Sequence, residues 1–242
     1  MSEPATLEII SDGISEDEVI FPPGDILSDK PPLESDLHRE QIDLLISILK
    51  LWWRERQDFY ASGNLTIYYS SNQKKSEYFR GPDFFVVLGT QKKDRKSWVV
   101  WQEDGKYPNL IMEILSSSTT ALDKGLKKQV YQDTFRTPDY FWFDPVTMKL
   151  QGFHLVDGKY QEIQVTTDGR LWSQQLELYL GVYEGKLRFF TTENQLILSS
   201  EELAEQERLR AEQAKERAQQ AEQEIARLRE ALRIQGIDLE NI

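Results

Sequence analysis

The chain has 242 residues, with 29 lysines and arginines against 41 aspartates and glutamates, a formal net charge of -12. It has no cysteine and two histidines far apart, His38 and His154, which excludes disulfides, zinc–thiolate sites and a histidine-rich metal centre. Carboxylate chemistry with a hard cation stays open. No apolar run approaches the roughly 20 residues of a membrane span. No basic stretch followed by an apolar one begins the chain, so we expect a cytoplasmic protein with no membrane partner.

The negative charge is concentrated at the N-terminus, where residues 1–40 hold about eleven acidic and two basic side chains. Residues 1–35 also contain Pro22-Pro23-Gly24 and Pro31-Pro32, so this segment is predicted to be an acidic, partly disordered leader. A passive solvated arm is the plain interpretation, and an autoinhibitory arm that mimics nucleic acid is the alternative. The acidic total therefore does not exclude a basic face elsewhere.

The segment that follows alternates helix and strand patterns, which is typical of an α/β or α+β domain with a mixed sheet. Asp36 is predicted to cap a helix reaching about Glu55, with apolar residues at a 3.6-residue period: Ile42, Leu45, Ile46, Leu49 and Trp52. A second helix is predicted over about 121–135. Strands are predicted near 65–69, 83–88, 110–115, 140–145, 151–156, 159–165, 176–180 and 186–191, and residues 97–101 are predicted to be a short strand or an arm.

The C-terminal segment is a charged helix with a heptad pattern. Residues 193–199 are predicted to be a linker, and 200–242 a coiled-coil-like tail that ends near Gly236. Its apolar positions recur every seven residues or three after them: Ala204, Ala211, Ala214, Ala218, Ala221, Ile225, Leu228 and Leu232. We expect a homodimer with this helix as the candidate interface. A solvated helix and one folded back on the domain stay open.

One glutamate, Glu113, interrupts the apolar run of residues 110–115. Strand interiors almost never carry an unpaired carboxylate, so its desolvation must be offset by a metal ion, a lysine or a place at the strand's open end. Asp83 begins a second apolar strand, and Lys127 lies on the helix after Glu113. Two carboxylates on neighbouring strands with a lysine on the next helix predict a metal-dependent phosphodiesterase.

Four segments together resemble the Uma2 family of endonucleases, part of the PD-(D/E)XK restriction-endonuclease-like superfamily. They are PDFFVV from Pro82, PNLIMEILSSST from Pro108, the spaced residues Asp123, Lys127 and Tyr131, and PDYFWFDP from Pro138. The combination is specific, although each piece alone is weak, and it covers roughly residues 36–192. The resemblance implies a mixed β-sheet core flanked by helices, Mg2+ or Mn2+ as the cofactor, and DNA as the partner.

The resemblance also implies roles by position. Asp83 matches the acid of the PD element and Glu113 the second acid. Both are expected to be catalytic and to hold the metal, with the backbone carbonyl of Ile114 as an extra ligand. The superfamily's usual lysine, two positions after the glutamate, is replaced by Leu115. Lys127 on the following helix matches a relocated catalytic lysine.

Some assignments have plain structural alternatives. Asp123 and Lys127 are spaced i,i+4, which alone describes a surface ion pair worth a few tenths of a kcal/mol. Lys124 and Lys128 are alternates for the catalytic lysine. Glu40, on the first helix, and Asp123 are predicted as accessory acids, with a solvent-facing position as the alternative.

A basic loop is the best candidate for contacting phosphates, with a solvated loop as the alternative. Trp98 and Trp101 are expected either to pack under it or to stack on unpaired bases. Tyr131 is interpreted as a core residue, with a site role as the alternative. The loop consists of Lys92, Lys93, Arg95 and Lys96, joined by Lys74, Lys75 and Arg80.

Three functions compete at this point. The first is a Mg2+-dependent DNA endonuclease. The second is a catalytically silent scaffold of nuclease fold that binds DNA or protein, favoured by the acidic balance and the displaced lysine. The third makes the coiled coil the functional part and the domain a passenger.

Overall fold

A computed structural model of the chain describes residues 36–73, 78–116 and 121–234. The predicted acidic leader, Lys74, Lys75, the side chains of Asp123 and Lys124, and the predicted helix end at Gly236 lie outside the described residues. In chain order the elements are α1 (Asp36–Trp52), β1 (Phe59–Gly63), β2 (Ile67–Tyr68), β3 (Phe79–Arg80), β4 (Phe84–Leu88), β5 (Trp98–Val99), a 3-10 turn (Val100–Gln102), β6 (Leu110–Ile114), α2 (Ala121–Asp133), β7 (Asp139–Asp144), β8 (Lys149–Val156), β9 (Lys159–Glu162), β10 (Leu171–Ser173), β11 (Leu178–Tyr183), β12 (Lys186–Phe190) and α3 (Ser200–Ile234).

A six-stranded sheet lies at the centre of the fold, in the order β1-β4-β6-β7-β8-β9. β6 and β7 run parallel, and the other neighbours run antiparallel. α2 forms the crossover that a parallel pair requires. All five residues of β6 are buried, because elements cover both faces of the sheet there. This explains why β6 has a continuous apolar run rather than an alternating pattern.

Two apolar clusters cover the two faces of this sheet. On one face, α1 and the antiparallel sheet β10-β11-β12 pack against Phe84, Met112 and Phe141. On the other, α2 and the small sheet β3-β2-β5 pack against Phe85 and Ile111. Alternate residues of each strand supply the two clusters, as the pleat requires. The predicted α+β fold, a mixed sheet flanked by helices with a long C-terminal helix, is confirmed.

Short strands are where the sequence prediction failed. β1, β3 and β10 have five, two and three residues and carry no run long enough to show an alternating pattern. The strand expected over 65–69 shrinks to the two residues of β2 and joins the small sheet. The last strand of the predicted hairpin ends at Glu162 instead of residue 165.

The first helix ends at Trp52, earlier than expected. Trp52 was predicted on the apolar face but is 47% exposed. An i→i+3 hydrogen bond from Arg54 N–H to the Leu51 carbonyl tightens the chain after the helix. Trp53 packs on the core instead, edge-on to Phe59 with ring centroids 5.0 Å apart.

The predicted linker packs against the domain and fixes the start of α3. Ile197 is buried, and its N–H donates to the β12 backbone. Ser199 and Glu202 form a reciprocal capping box, with bonds of 3.2 and 2.7 Å. Arg188 on β12 binds both oxygens of Glu202 at 2.7 and 2.6 Å. The segment is therefore integral to the fold, whereas none of the 35 residues of α3 is buried.

Asp139 joins the central sheet to the β10-β11-β12 sheet. Its carboxylate is fully buried and lies 2.7 Å from His154 Nδ1. It also accepts hydrogen bonds from the Ser173 hydroxyl at 2.7 Å and the Gln175 N–H at 3.0 Å. Its contact with this buried carboxylate gives His154 a structural role. Of the described helices, none is both long and apolar enough to cross a bilayer.

Candidate active site

Glu113 is buried near the end of β6, with 3% of its surface exposed. Its side chain points to the face covered by α2. Lys127 Nζ donates to Glu113 Oε2 at 2.9 Å, and the Tyr131 hydroxyl donates to Oε1 at 2.7 Å. Lys127 and Tyr131 are one helical turn apart, so α2 presents both donors on the same face. The structure therefore satisfies both oxygens of the carboxylate from a single helix.

Asp83 lies beside Glu113, immediately before β4. The last β4–β6 pair in the ladder is Phe84 with Met112, so the same register places Asp83 opposite Glu113. The ladder stops there, and Asp83 Oδ2 accepts the Ile114 N–H at 2.7 Å instead. Two residues that are 30 positions apart in sequence thus present their carboxylates at the same end of two neighbouring strands.

His38 approaches Asp83 from the other side. It lies in the first turn of α1, is buried, and has Nε2 3.3 Å from Asp83 Oδ1. Its position continues the buried face of α1, which includes Gln41, Ile42 and Leu45. α1 thereby contacts the Asp83 carboxylate, whereas α2 contacts the Glu113 carboxylate.

The pKa of Glu113 is raised to about 7. Burial is the main cause, and the negative charge of Asp83 adds to it. The Lys127 ammonium and the Tyr131 hydroxyl lower the pKa of Glu113 and offset part of this rise. Burial, together with the charge of Glu113, also raises the pKa of Tyr131 well above its usual value. Tyr131 thus stays a hydroxyl donor, and Glu113 changes its protonation near neutral pH.

The donor set fits a hard divalent cation. In the described part of the chain no three His, Cys, Asp or Glu residues form a metal-ligating cluster. Mg2+, however, keeps several waters and needs only one or two carboxylates. Each oxygen of Asp83 and Glu113 that accepts one hydrogen bond keeps a second lone pair. The Ile114 carbonyl lies on the same side of β6 as the Ile114 N–H, which donates a hydrogen bond to Asp83. This carbonyl therefore lies on the side of β6 that faces Asp83.

The remaining predicted site residues are placed differently. Glu40 is exposed on α1. It follows His38 by two positions, about 200° around a helix, so His38 is the α1 residue that contacts Asp83. The side chain of Asp123 lies outside the described residues, so the accessory roles of Glu40 and Asp123 stay predictions. Lys128 lies with Nζ 3.3 Å from the centroid of the Phe153 ring, whereas Lys127 contacts Glu113.

The basic loop is at the far end of β4 from Asp83. A five-residue strand is about 17 Å long. Arg95 is engaged within the protein, so its predicted role in contacting phosphates stays a prediction. Its side chain is 4% exposed, and it binds both oxygens of Glu103 at 2.7 and 2.9 Å. Trp98 is fully buried beneath it, which excludes stacking on bases.

The other three loop residues are exposed, and a nucleic-acid role for them stays a prediction: Lys92, Lys93 and Lys96. Lys93 Nζ lies 3.5 Å from Glu103. Lys92 Nζ lies 5.4 Å from the centroid of the Phe59 ring.

A family model described as "Uma2: Putative restriction endonuclease" matches residues 15–188, more than half of the chain. The chain belongs to the Uma2 family. Among solved structures it is similar to a "putative nuclease belonging to DUF820 from Anabaena variabilis ATCC 29413". The two are 12% identical, and the match covers 60% of this chain and 76% of that chain with a TM-score of 0.45. No curated protein matches the chain.

Two residues that contact the carboxylates of this Uma2 protein, His38 and Tyr131, are not among the site residues that the sequence predicts. No site role is predicted for His38, because no second histidine stands at ligand spacing. A signal existed, since it falls on the apolar face of α1, where a polar residue needs a partner. Tyr131 was interpreted as core, and it is both fully buried and bonded to Glu113. Its place four residues after Lys127 was the usable signal.

Proposed function

We propose that this protein is a metal-dependent endonuclease that hydrolyses phosphodiester bonds of DNA. The observation that carries the proposal is the juxtaposition of Asp83, Glu113 and Lys127, which come from three separate elements. Asp83 and Glu113 would hold Mg2+ or Mn2+, with the Ile114 carbonyl as a further ligand. When bound, such an ion lowers the pKa of a coordinated water and polarises phosphoryl oxygens.

The chain's own residues have distinct roles in this proposal. Lys127 holds Glu113 and places a positive charge where the phosphoryl group becomes more negative during hydrolysis. Tyr131 lowers the pKa of Glu113 and so favours its ionised, ligating form. His38 and the Ile114 N–H each contact one oxygen of Asp83, which fixes the orientation of that carboxylate.

The test combines cleavage with metal binding. Asp83→Asn and Glu113→Gln should each abolish Mn2+-dependent cutting of plasmid DNA, because each removes a negative ligand while keeping the side-chain shape. Calorimetric titration of Mn2+ should show binding to the unmutated chain and none to Glu113→Gln. Glu216→Gln, at an exposed position of α3 outside the heptad seam, is the control and should change neither readout. Cutting that survives both substitutions at the sheet edge would remove the proposal.

A catalytically silent scaffold is the second candidate, and one observation favours it. Both oxygens of Glu113 and both oxygens of Asp83 already have partners within the protein. Such a site can be a self-satisfied polar network that stabilises the fold. This alternative predicts metal-independent binding of DNA or protein and no cleavage with Mg2+ or Mn2+.

We also propose that the partner of α3 is a second copy of the chain. α3 extends for 35 residues with no buried residue, although Ile225 and Leu228 lie in one heptad seam. A parallel arrangement brings oppositely charged residues together across that seam: Arg217 of one copy with Glu222 of the second, and Glu224 with Arg229. Because the capping box and Arg188 anchor α3 to the domain, a parallel dimer holds two nuclease domains at the same end.

A further inference from the structure

An aromatic cleft opens between the small sheet and α2. Its volume is about 700 Å3, within the range of roughly 300–1,000 Å3 typical of ligand sites. Several of its lining residues are aromatic, and one is a cation. The residues that matter are Tyr69, Tyr78, Arg80, Trp101, Tyr107 and Val130.

Some rings of the cleft pack against the hydrophobic core, and others are accessible to solvent. Tyr107 and Tyr69 pack against Phe135, with ring centroids 4.9 and 4.8 Å apart. Tyr78 lies 5.8 Å from Tyr69 and is itself 54% exposed. Trp101 is half-buried. A flat ligand could therefore reach Tyr78 and Trp101 in a cleft whose other rings, Tyr69 and Tyr107, pack against the core.

Polar groups accompany the rings. Arg80 is half-buried at the cleft, and its Nη1 donates to the Phe79 carbonyl at 2.9 Å. Its guanidinium has five N–H donors in all, so it retains further capacity toward an anion. Burial raises the pKa of Tyr107, which keeps its hydroxyl protonated at neutral pH. The cleft thus offers planar apolar surface, a hydroxyl and a cation.

Two short connections tie the cleft to the catalytic carboxylates. Arg80 comes three residues before Asp83, a reach of roughly 10 Å at most along an extended chain. On α2, Val130 lines the cleft and directly precedes Tyr131, which binds Glu113. At about 3.4 Å per stacked nucleotide, 10 Å corresponds to about three nucleotides. A strand with its phosphate at the carboxylates reaches the cleft within that length.

We propose that this cleft binds an unpaired base of the strand being cut, stacked on Tyr78 and Trp101, with Arg80 contacting the adjoining phosphate. The inference rests on the proposed nuclease function and extends it to substrate class. Stacking needs a base with its faces open, so the site favours single-stranded or locally unpaired DNA over a closed duplex. Every base has such faces, so the cleft adds strand preference rather than sequence preference.

Binding is measured on Glu113→Gln, which keeps DNA intact, in the presence of Mg2+. The probes are a fluorescein-labelled single strand of about 12 nucleotides and the blunt duplex of the same sequence, followed by anisotropy. Tyr78→Ala and Trp101→Ala are added separately to this background. Their matched controls are Tyr183→Ala and Trp52→Ala, which remove exposed rings outside the cleft. Trp101→Phe retains a ring and tests rescue.

Each cleft variant should weaken single-strand binding between about 5- and 150-fold, as loss of one stacked base predicts. Duplex binding should stay unchanged, the controls should bind like the background, and Trp101→Phe should recover most of the loss. Single-strand affinity equal to the background, equal loss on both probes, or no measurable binding of the single strand overturns the inference. Unfolding of Trp101→Ala leaves the outcome to Tyr78→Ala, whose ring is mostly exposed.

Cleavage of the same strands by the unmutated chain separates the two proposals. If the chain cuts DNA but neither ring matters for binding, the cleft inference fails and the endonuclease proposal stands. If no metal supports cutting but the ring variants lose single-strand binding, the endonuclease proposal fails and the cleft remains a nucleic-acid site.

Discussion

The Tyr131 hydroxyl donates a 2.7 Å hydrogen bond to Glu113 Oε1 inside the contact between α2 and β6. Lys127 takes the other oxygen of the same carboxylate. One helix face therefore fixes the orientation of Glu113 toward Asp83 on the neighbouring strand. The arrangement is costly to disturb, because a buried acceptor that loses its donor keeps its full desolvation penalty.

Replacing Tyr131 with Phe should lower both stability and activity. Loss of the donor leaves a buried oxygen unsatisfied, at about 1–3 kcal/mol of unfolding free energy, measured by urea denaturation. Because the hydroxyl lowers the pKa of Glu113, its loss should move the pH midpoint of cleavage upward. Tyr160→Phe is the control, since its hydroxyl donates to the Thr137 carbonyl at 3.0 Å. An equal pH shift in both variants would contradict a specific role for Tyr131.

The raised pKa of Glu113 predicts that the metal-free protein loses stability as pH rises. Below about pH 4.5 the carboxyl is protonated both in the fold and in the unfolded chain. Between 4.5 and about 7 the unfolded chain releases a proton that the fold keeps, so stability falls; above 7 it levels off. The full fall is about 3 kcal/mol, because one pKa unit corresponds to about 1.4 kcal/mol.

Denaturant unfolding across that pH range, compared with Glu113→Gln, measures this contribution. The difference between the two proteins should change between pH 4.5 and 7 and then stay constant. Mg2+ should flatten the fall for the unmutated chain, because a bound cation stabilises the ionised carboxylate. A difference independent of pH would show that Glu113 titrates in the fold as it does in water.

The sequence predicted the two neighbouring carboxylates, Asp83 and Glu113, but not the residues that contact them. Glu113 stood out because one charged residue in a buried apolar run requires compensation, and Asp83 began the neighbouring run. The apolar face of α1 indicates that His38 needs a partner, but that this partner is Asp83 depends on how α1 packs against the sheet. Arg95 is a second example, since the basic loop pattern does not reveal that its side chain pairs with Glu103 over the Trp98 ring. Residues marked by a local sequence pattern could be predicted, whereas contacts between segments far apart in the sequence could not.

Leu115, two residues after Glu113, is a position from which a new lysine should rescue the loss of Lys127. Lys127→Met should reduce cleavage by at least about 100-fold, because it removes the cation beside the reacting phosphate. Leu115 lies two residues after Glu113 and so on the same face of the chain, as alternation dictates. Adding Leu115→Lys to Lys127→Met should restore part of the activity, whereas Lys128→Met alone should have little effect. Initial cleavage rates under Mn2+ measure all three, and a double variant as inactive as Lys127→Met counts against interchangeable positions.

Arg95 should prove important for stability and irrelevant to DNA affinity. Arg95→Ala leaves Glu103 without its main partner and uncovers the Trp98 ring, so unfolding free energy should fall by about 3 kcal/mol. Lys96→Ala, on the same loop but exposed, should leave stability unchanged. Thermal unfolding and DNA anisotropy are measured on both variants. Weaker DNA binding by folded Arg95→Ala would restore the residue to the nucleic-acid surface.

The C-terminal half of α3 should control self-association. Alanines in the seam bury little apolar area, and Arg210 would face Lys215 across a parallel seam, so the half near the domain contributes little. Ile225 and Leu228 carry the apolar contact. Light scattering should therefore give twice the chain mass of 28.3 kDa for the unmutated protein and a single chain for Leu228→Lys. Leu209→Lys, at an outward heptad position, should stay dimeric. A dimer that survives Leu228→Lys would place the interface on the nuclease domain, and a monomeric unmutated chain would leave α3 for a different partner.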